Sequence, residues 1–90
     1  MKPIRLSEHA QVRCIERGGS EAEVKEAVSR GPRVPARRGK WKARWRFEST
    51  CRSPLDGMLY NEKMIEVVYA DEPDEIVVVT VKVYYAGREE

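Results

Sequence analysis

The residues whose types and spacing could do chemistry lie in one short segment, SEHAQVRCIERG, at positions 7–18. It holds His9, the one histidine of the chain, followed by Arg13 and Arg17 at intervals of four residues. A helix turns by about 100° per residue, so these three side chains would share one edge of a helix. A neutral imidazole can accept a proton, and guanidiniums stabilise the negative charge of a phosphate. The segment therefore predicts a site for phosphate chemistry with His9 as general base.

A helix over residues 7 to about 17 would position this row. Ser7 carries the short side-chain oxygen that caps free amides at a helix start, and Gly18 suits the helix end. On the side away from His9, three residues are expected to point toward the interior: Val12, Cys14 and Ile15. Residues 3–6 have an extended tendency and are expected to form a short edge strand.

A second helix is predicted after the capping box formed by Ser20 and Glu23, whose side chains can each satisfy an open amide. Its apolar stripe consists of Val24, Ala27 and Val28. Gly31 and Pro32 end it, because neither residue favours continuation of the helix. The two helices would thus form a tight pair.

The middle of the chain is basic, with seven Lys or Arg residues among positions 33–46. Pro35 and Gly39 break its first part into a loop, after which Trp41–Phe47 alternates between apolar and basic residues. This alternation predicts a β-strand whose apolar side packs on the helices while its basic side forms a row on the other face. Together with Lys82, the residues expected to bind RNA phosphates are Arg37, Arg38, Lys40, Lys42, Arg44 and Arg46.

Two further strands are predicted after a turn-rich connection at 49–57, over residues 63–70 and 76–85, with an acidic hairpin loop at 71–75 between them. The last strand is almost entirely β-branched or aromatic, which favours a central position. One of its faces is expected to carry Val77, Val79, Val81 and Val83. The other face would carry Thr80, Lys82 and Tyr84, whose hydroxyl and ammonium groups indicate a candidate active surface.

Composition limits the class of protein. Ninety residues with 41% hydrophobic content suit a single domain over residues 1–90, and no segment approaches the length of about 20 apolar residues that a membrane helix needs. The N-terminus has no apolar core of the secretory type, and Cys14 and Cys51 lack metal-ligand spacing, so they are expected to be reduced thiols. These features predict a cytoplasmic protein without a membrane partner, a metal or another cofactor.

The net charge of +2 conceals a split along the chain. Residues 1–46 hold 13 of the 17 basic residues and 5 of the 15 acidic ones, so the first half carries +8 and the second −6. Such a split indicates either a polyanion site or two oppositely charged edges that pair with each other. We favour the polyanion site.

These elements predict an α+β fold in which two N-terminal helices pack on one face of a small antiparallel sheet of three to four strands. If the basic row and the Thr80 row share the open face, the surface suits an RNA backbone. His9 would then take the proton from a ribose hydroxyl that attacks the adjacent phosphate. Arginines would hold the developing charge, and Tyr84 or Lys82 would assist the leaving oxygen.

Each of these residues also has an ordinary structural explanation. His9 is as well suited to a hydrogen-bonded surface position, and Arg13 and Arg17 could pair with Glu8 or Glu16 on a solvated helix face. The basic row could simply be solvated, and Thr80 and Tyr84 are common strand formers. These alternatives stay open at the level of sequence.

Four motifs in order carry a resemblance to a known family. They are His9-Ala10-x-x-Arg13, Arg17-Gly18, Ser20-x-x-Glu23-Val24 and the run IVVVTVKVY at 76–84. The chain resembles a prokaryotic domain-of-unknown-function family similar in layout to RelE and ParE toxins and to barnase, EndoU and colicin-type ribonucleases. The resemblance implies a small ααββββ domain, ribonuclease activity or descent from it, and an antitoxin partner. Its implied functional positions are His9, Arg13, Arg17, Thr80 and Tyr84.

The leading hypothesis is a metal-independent ribonuclease or toxin-type RNA-binding domain. A second hypothesis is a non-catalytic protein-binding module, whose basic surface meets an acidic partner or the 71–75 hairpin of another copy. A third is nucleic-acid binding without cleavage. The location of His9 relative to Thr80, Tyr84 and Arg44 is the geometric feature that bears most directly on the first.

Overall fold

The computed structural model describes residues 2–88. Two helices, α1 Glu8–Glu16 and α2 Glu21–Arg30, lie near the start of the chain, and a 3₁₀ turn lies at Arg37–Gly39. The strands are β1 Ile4–Leu6, β2 Arg33–Pro35, β3 Trp41–Phe47, β4 Cys51–Arg52, β5 Leu59–Asp71 and β6 Ile76–Arg88. The fold is therefore α+β, as the sequence predicts.

All strands of residues 2–88 belong to one sheet with the order β1-β6-β5-β3-β2, and β4 pairs with β5. The pairings are antiparallel except that of β1 with β6, which is parallel. The expected antiparallel sheet of three to four strands is thus corrected to a mixed sheet of six. The additional strands are two or three residues long, so they are defined by pairing with a neighbour and are too short to carry an alternating pattern of their own.

Both helices begin at the predicted caps. The Ser7 hydroxyl accepts a hydrogen bond from the amide of Ala10 at 3.1 Å, and Ser20 and Glu23 form the reciprocal capping box. The second helix ends at Gly31, also as predicted. These signals are local in sequence, which explains why they could be recognised without the tertiary structure.

The buried side of α1 is narrower than expected. Ala10 and Cys14 are buried against the sheet, but Val12 is 52% exposed and Ile15 is 77% exposed. The inward placement expected of Val12 and Ile15 is therefore wrong. The helix packs along β6 through two small side chains one turn apart, and this narrow stripe leaves the wider apolar arc in solvent.

The core lies between the helices and the inner face of the sheet. From β3 it receives Ala43, which is fully buried, while Trp41, Trp45 and Phe47 pack against it as partly buried side chains. The prediction that the apolar side of Trp41–Phe47 faces the helices is confirmed. Within residues 2–88, no helix is long and apolar enough to cross a membrane.

An irregularity in β6 changes which valines share a face. Val68 pairs with Thr80 and the next residue of β5, Tyr69, pairs with Val78, so Val79 is an extra residue in β6. Such a bulge shifts the alternation by one residue. Val78 and Val81 are therefore both buried, and the predicted single face formed by Val77, Val79, Val81 and Val83 is corrected.

Candidate nucleic-acid interface

The sheet face turned away from the helices, which we call the open face, carries polar side chains in three cross-strand rows over β3, β5 and β6. The register of these strands aligns Lys42 with Val68 and Thr80, Arg44 with Glu66 and Lys82, and Arg46 with Met64 and Tyr84. Directly opposed residues on neighbouring strands have Cβ atoms about 5 Å apart. The predicted basic row and the predicted Thr80 row therefore share one surface.

A groove of about 730 Å³ lies on this face, and we call it the basic groove. Its walls come from β3, β5, β6 and the turn that precedes β3. The lining residues are Pro35, Ala36, Arg37, Arg38, Lys40, Lys42, Glu66, Val68, Val79, Thr80 and Lys82. Five of these side chains are cationic and one is anionic, so the groove is electropositive.

The cations of the open face differ in their acidic neighbours. Lys42 and Arg44 form ion pairs with Glu66, and Arg46 lies between Glu48 and Glu62. Four other basic residues make no ion pair with another residue of the described chain: Arg37, Arg38, Lys40 and Lys82. These four are the cations best placed to neutralise an anionic ligand, whereas Arg46 lies outside the groove lining and is already compensated.

The turn that carries two of these cations has an unusual backbone. Arg38 has φ 60° and ψ 40°, and Gly39 follows with φ 72°. A left-handed conformation costs a residue with a Cβ about 1 kcal/mol, and Gly or Asn is the usual occupant of such a turn. The protein thus holds an arginine at the groove where local backbone energetics favour a smaller residue.

Glu66 is the functional candidate that sequence reasoning missed. Its side chain is only 6% exposed although it lies on the open face and lines the groove. One carboxylate oxygen is 3.4 Å from Lys42 Nζ, and the other, Oε2, is 3.7 Å from Arg44 Nε. Oε2 makes no hydrogen bond to any residue in the described part of the chain. The available signal was a single carboxylate inside the otherwise apolar run MIEVVY.

Tyr84 interacts with this carboxylate, and Arg17 contacts the strand that carries Tyr84. Burial, followed by a hydrogen bond to Glu66, raises the pKa of the Tyr84 phenol, while the positive charges of Arg44 and Arg17 act in the opposite direction. The Arg17 guanidinium donates from Nη1 to the carbonyl oxygen of Val81 at 2.7 Å. The end of α1 thus reaches the part of β6 that carries the open-face residues. The raised pKa keeps the Tyr84 phenol protonated at neutral pH, so the phenol can donate a hydrogen bond.

The end of α1 is fixed from the inner side of the sheet. The Tyr85 hydroxyl donates to the carbonyl oxygen of Arg17 at 2.7 Å, and Lys63 Nζ donates to that of Gly18 at 2.9 Å. Lys63 also pairs with Glu23 at 2.9 Å. These contacts satisfy carbonyl groups that a helix end leaves open, and they hold Arg17 in position.

The other two predicted residues of α1 are placed differently. His9 is exposed, and Arg13 forms an i, i+3 ion pair with Glu16 at 2.9 Å. Neither residue belongs to the lining of the basic groove. Of the predicted catalytic set, Thr80 lines the groove, Tyr84 interacts with Glu66 and Arg17 contacts the backbone of β6. His9 and Arg13 stay on the surface of α1.

No metal-binding cluster of three or more His, Cys, Asp or Glu side chains occurs within residues 2–88. Cys14 and Cys51 are both free thiols. The polar groups that line the basic groove are ammonium, guanidinium, hydroxyl and carboxylate groups.

Comparison with protein families gives one match. The family described as a domain of unknown function (DUF4258) matches residues 6–83, and the chain belongs to this family. No curated protein and no solved structure matches the chain. The expected membership of a domain-of-unknown-function family is therefore confirmed.

Proposed function

We propose that this protein binds RNA by holding successive phosphates along the basic groove, and that it cleaves the bound RNA without a metal ion through attack of a ribose hydroxyl. The observation that carries the proposal is the concentration of five cations in one groove, of which only Lys42 has an acidic partner in the described chain. When unpaired cations of a protein neutralise phosphates, the counterions condensed on the nucleic acid are released, and this release drives binding.

The orientation of the aromatic residues bears on which part of RNA is recognised. Trp41, Trp45 and Phe47 pack toward the helices, so β3 presents cations to the open face and keeps its large rings in the core. Arg33 and Arg30 lie over the rings of Trp41 and Trp45 on the partly exposed sides. Binding is therefore expected to rely on phosphate contacts and to depend little on base sequence.

The expected relation to RelE-like and barnase-like ribonucleases, and with it an antitoxin partner, belongs to this proposal. Two helices preceding a sheet with a polar open face support it. The competing hypothesis, in which the basic surface binds the 71–75 hairpin of another copy, has less support, because two acidic residues of the hairpin already have partners. Asp71 pairs with Lys2 and Arg33, and Glu75 pairs with Arg5.

RNA binding is tested by fluorescence anisotropy with a labelled single-stranded RNA over a series of salt concentrations. The groove variant combines Arg37→Ala, Arg38→Ala and Lys40→Ala. We expect a large loss of affinity and a decrease of about 2 in the slope of log affinity against log salt, from about 0.7 for each lost single-strand phosphate contact. The matched control removes three cations that have acidic neighbours away from the groove: Arg5, Arg13 and Lys25.

Equal losses in the groove variant and the control would refute the groove as the binding site. If the wild-type protein ignores RNA but binds an acidic polypeptide or forms oligomers, the protein-interaction hypothesis replaces the proposal. Cleavage is tested with the same RNA in the presence of a chelator, with DNA of the same sequence as control. DNA must stay intact because it lacks the attacking 2′-hydroxyl. If the RNA also stays intact, the proposal is reduced to nucleic-acid binding without cleavage.

A further inference from the structure

We infer that Glu66, not His9, accepts the proton from the attacking ribose hydroxyl. This inference rests on the proposed function and adds to it the group that starts the reaction. It also assigns a chemical role to a carboxylate that no sequence motif identified.

One oxygen of the Glu66 carboxylate is unsatisfied. Buried polar atoms in folded proteins nearly always have a hydrogen-bond partner, so a buried carboxylate oxygen without one requires an explanation. Glu66 Oε2 has none among the described residues, and its side chain lines the basic groove. Arg44, whose side chain is exposed, lies 3.7 Å from this enclosed oxygen. When Arg44 turns toward a bound phosphate, a hydroxyl group of the ligand would supply the missing donor, and that donor is the group a general base must contact.

The charges around Glu66 favour a phosphate beside it. A carboxylate alone would repel a phosphate, but this one is surrounded by positive groups from both neighbouring strands. Lys42 and Arg44 on β3 form ion pairs with it, and Lys82 on β6 is its direct cross-strand neighbour. Tyr84 on β6 interacts with it as well. The cluster can therefore hold a phosphate and a proton acceptor side by side.

The proposed reaction exchanges one phosphorus–oxygen bond for another and moves two protons. Glu66 takes the proton of the 2′-hydroxyl while the 2′-oxygen forms a bond to the adjacent phosphorus. The bond between phosphorus and the 5′-oxygen breaks, and this oxygen takes a proton from the Tyr84 phenol. The carboxyl group then gives its proton to solvent and the phenolate takes one from solvent, so both groups regain their starting states. The products are a 2′,3′-cyclic phosphate and a free 5′-hydroxyl, and no oxidant or metal is consumed.

The decisive variant is Glu66→Gln, which keeps the shape of the side chain but cannot accept the proton. We expect RNA binding to persist and cleavage to fall by about 10²–10⁴-fold. The matched control is Glu62→Gln, which neutralises a carboxylate on the same strand and the same face, next to Arg46. This control should cleave RNA at the wild-type rate.

A second variant separates a chemical role from a structural one. Glu66→Ala leaves space for a small carboxylate from solution, so added formate should restore part of the cleavage rate, while sodium chloride at equal ionic strength should not. Rescue of this kind requires a folded groove, and thermal unfolding of both variants checks the fold independently.

The outcomes are distinguishable. A wild-type protein that fails to bind RNA refutes the proposed function itself. A wild-type protein that binds but does not cleave RNA refutes this inference and leaves binding intact. Cleavage at the wild-type rate by Glu66→Gln, or loss of cleavage in His9→Ala with retention in Glu66→Gln, overturns the assignment of Glu66.

Discussion

Each face of β5 carries one buried charged residue, and the two residues differ in how well their charged groups are hydrogen-bonded. On the inner face, Lys63 donates to the carbonyl oxygen of Gly18 and pairs with Glu23, so its ammonium group is well satisfied. On the open face, three residues later, Glu66 is as deeply buried but leaves one oxygen without a hydrogen bond among the described residues. A satisfied buried charge is typical of a structural element, and an unsatisfied one is typical of a binding or catalytic site.

This comparison predicts that the two charges contribute differently to stability. Replacing Lys63→Met should lower the free energy of unfolding by about 2–3 kcal/mol, because the Gly18 carbonyl and the Glu23 carboxylate lose their partner. Glu66→Gln should change it by less than about 1 kcal/mol, since its cationic neighbours are partly solvated. Urea unfolding of both variants measures the difference.

Lys25→Met serves as the control for Lys63→Met, because Lys25 makes only an exposed i, i+4 pair with Glu21. Its effect should be below about 0.5 kcal/mol. If Glu66→Gln destabilises the protein as much as Lys63→Met does, the contrast between the two faces is wrong.

A smaller effect separates two neighbouring tyrosines. Tyr85→Phe removes the hydroxyl that donates to the Arg17 carbonyl oxygen and should cost about 1 kcal/mol of stability. Tyr84→Phe, on the open face, should leave stability nearly unchanged and slow RNA cleavage. Thermal unfolding and the cleavage assay are applied to both variants. A loss of stability in Tyr84→Phe together with slower cleavage in Tyr85→Phe would contradict this assignment.

The strained turn provides a test in which stability and function change in opposite directions. Arg38→Gly removes the cost of the left-handed backbone, so stability should rise by up to about 1 kcal/mol. RNA affinity should fall, because one unpaired cation is lost from the groove. Chemical denaturation and anisotropy on the same preparation measure both quantities, and a variant that gained stability and kept full affinity would remove Arg38 from the binding surface.

The smallest expected effect is the pH dependence of the exposed ion pairs near the hairpin. Hydrogen bonds from Lys2 and Arg33 lower the pKa of Asp71, and Arg5 lowers that of Glu75. Because the pKa in the folded state lies below that in the unfolded state, the stabilisation is present at neutral pH and is lost as pH falls below about 4. Unfolding midpoints between about pH 5 and 2 should decline less in Asp71→Asn, and high salt should reduce the difference.

The parts of the fold that were predictable depend on local signals. The caps at Ser7 and Ser20 and the alternation of Trp41–Phe47 are written into a few consecutive residues, and they were confirmed. The short edge strand expected at residues 3–6 was confirmed as β1, whereas β2 and β4 were missed because strands of two or three residues are too short to show an alternating pattern. The bulge at Val79 was missed because the run of valines fits either face, so sequence alone does not reveal the extra residue.

The candidate site was predictable in part for the same reason. The cations of the groove were recognised by type, since a basic run is visible in the sequence. Glu66 was not recognised, because its importance comes from cross-strand neighbours on β3 and β6. His9 attracted attention as the only histidine, but the structure leaves it exposed on α1 and outside the lining of the groove.

We propose that the open face of the sheet, and not the outer surface of α1, meets RNA. Amide chemical-shift mapping by NMR during titration with single-stranded RNA tests this claim most directly. We expect the largest perturbations at residues 37–42, 66–68 and 79–84. Perturbations confined to the exposed side of α1, around His9, Val12 and Glu16, would contradict it.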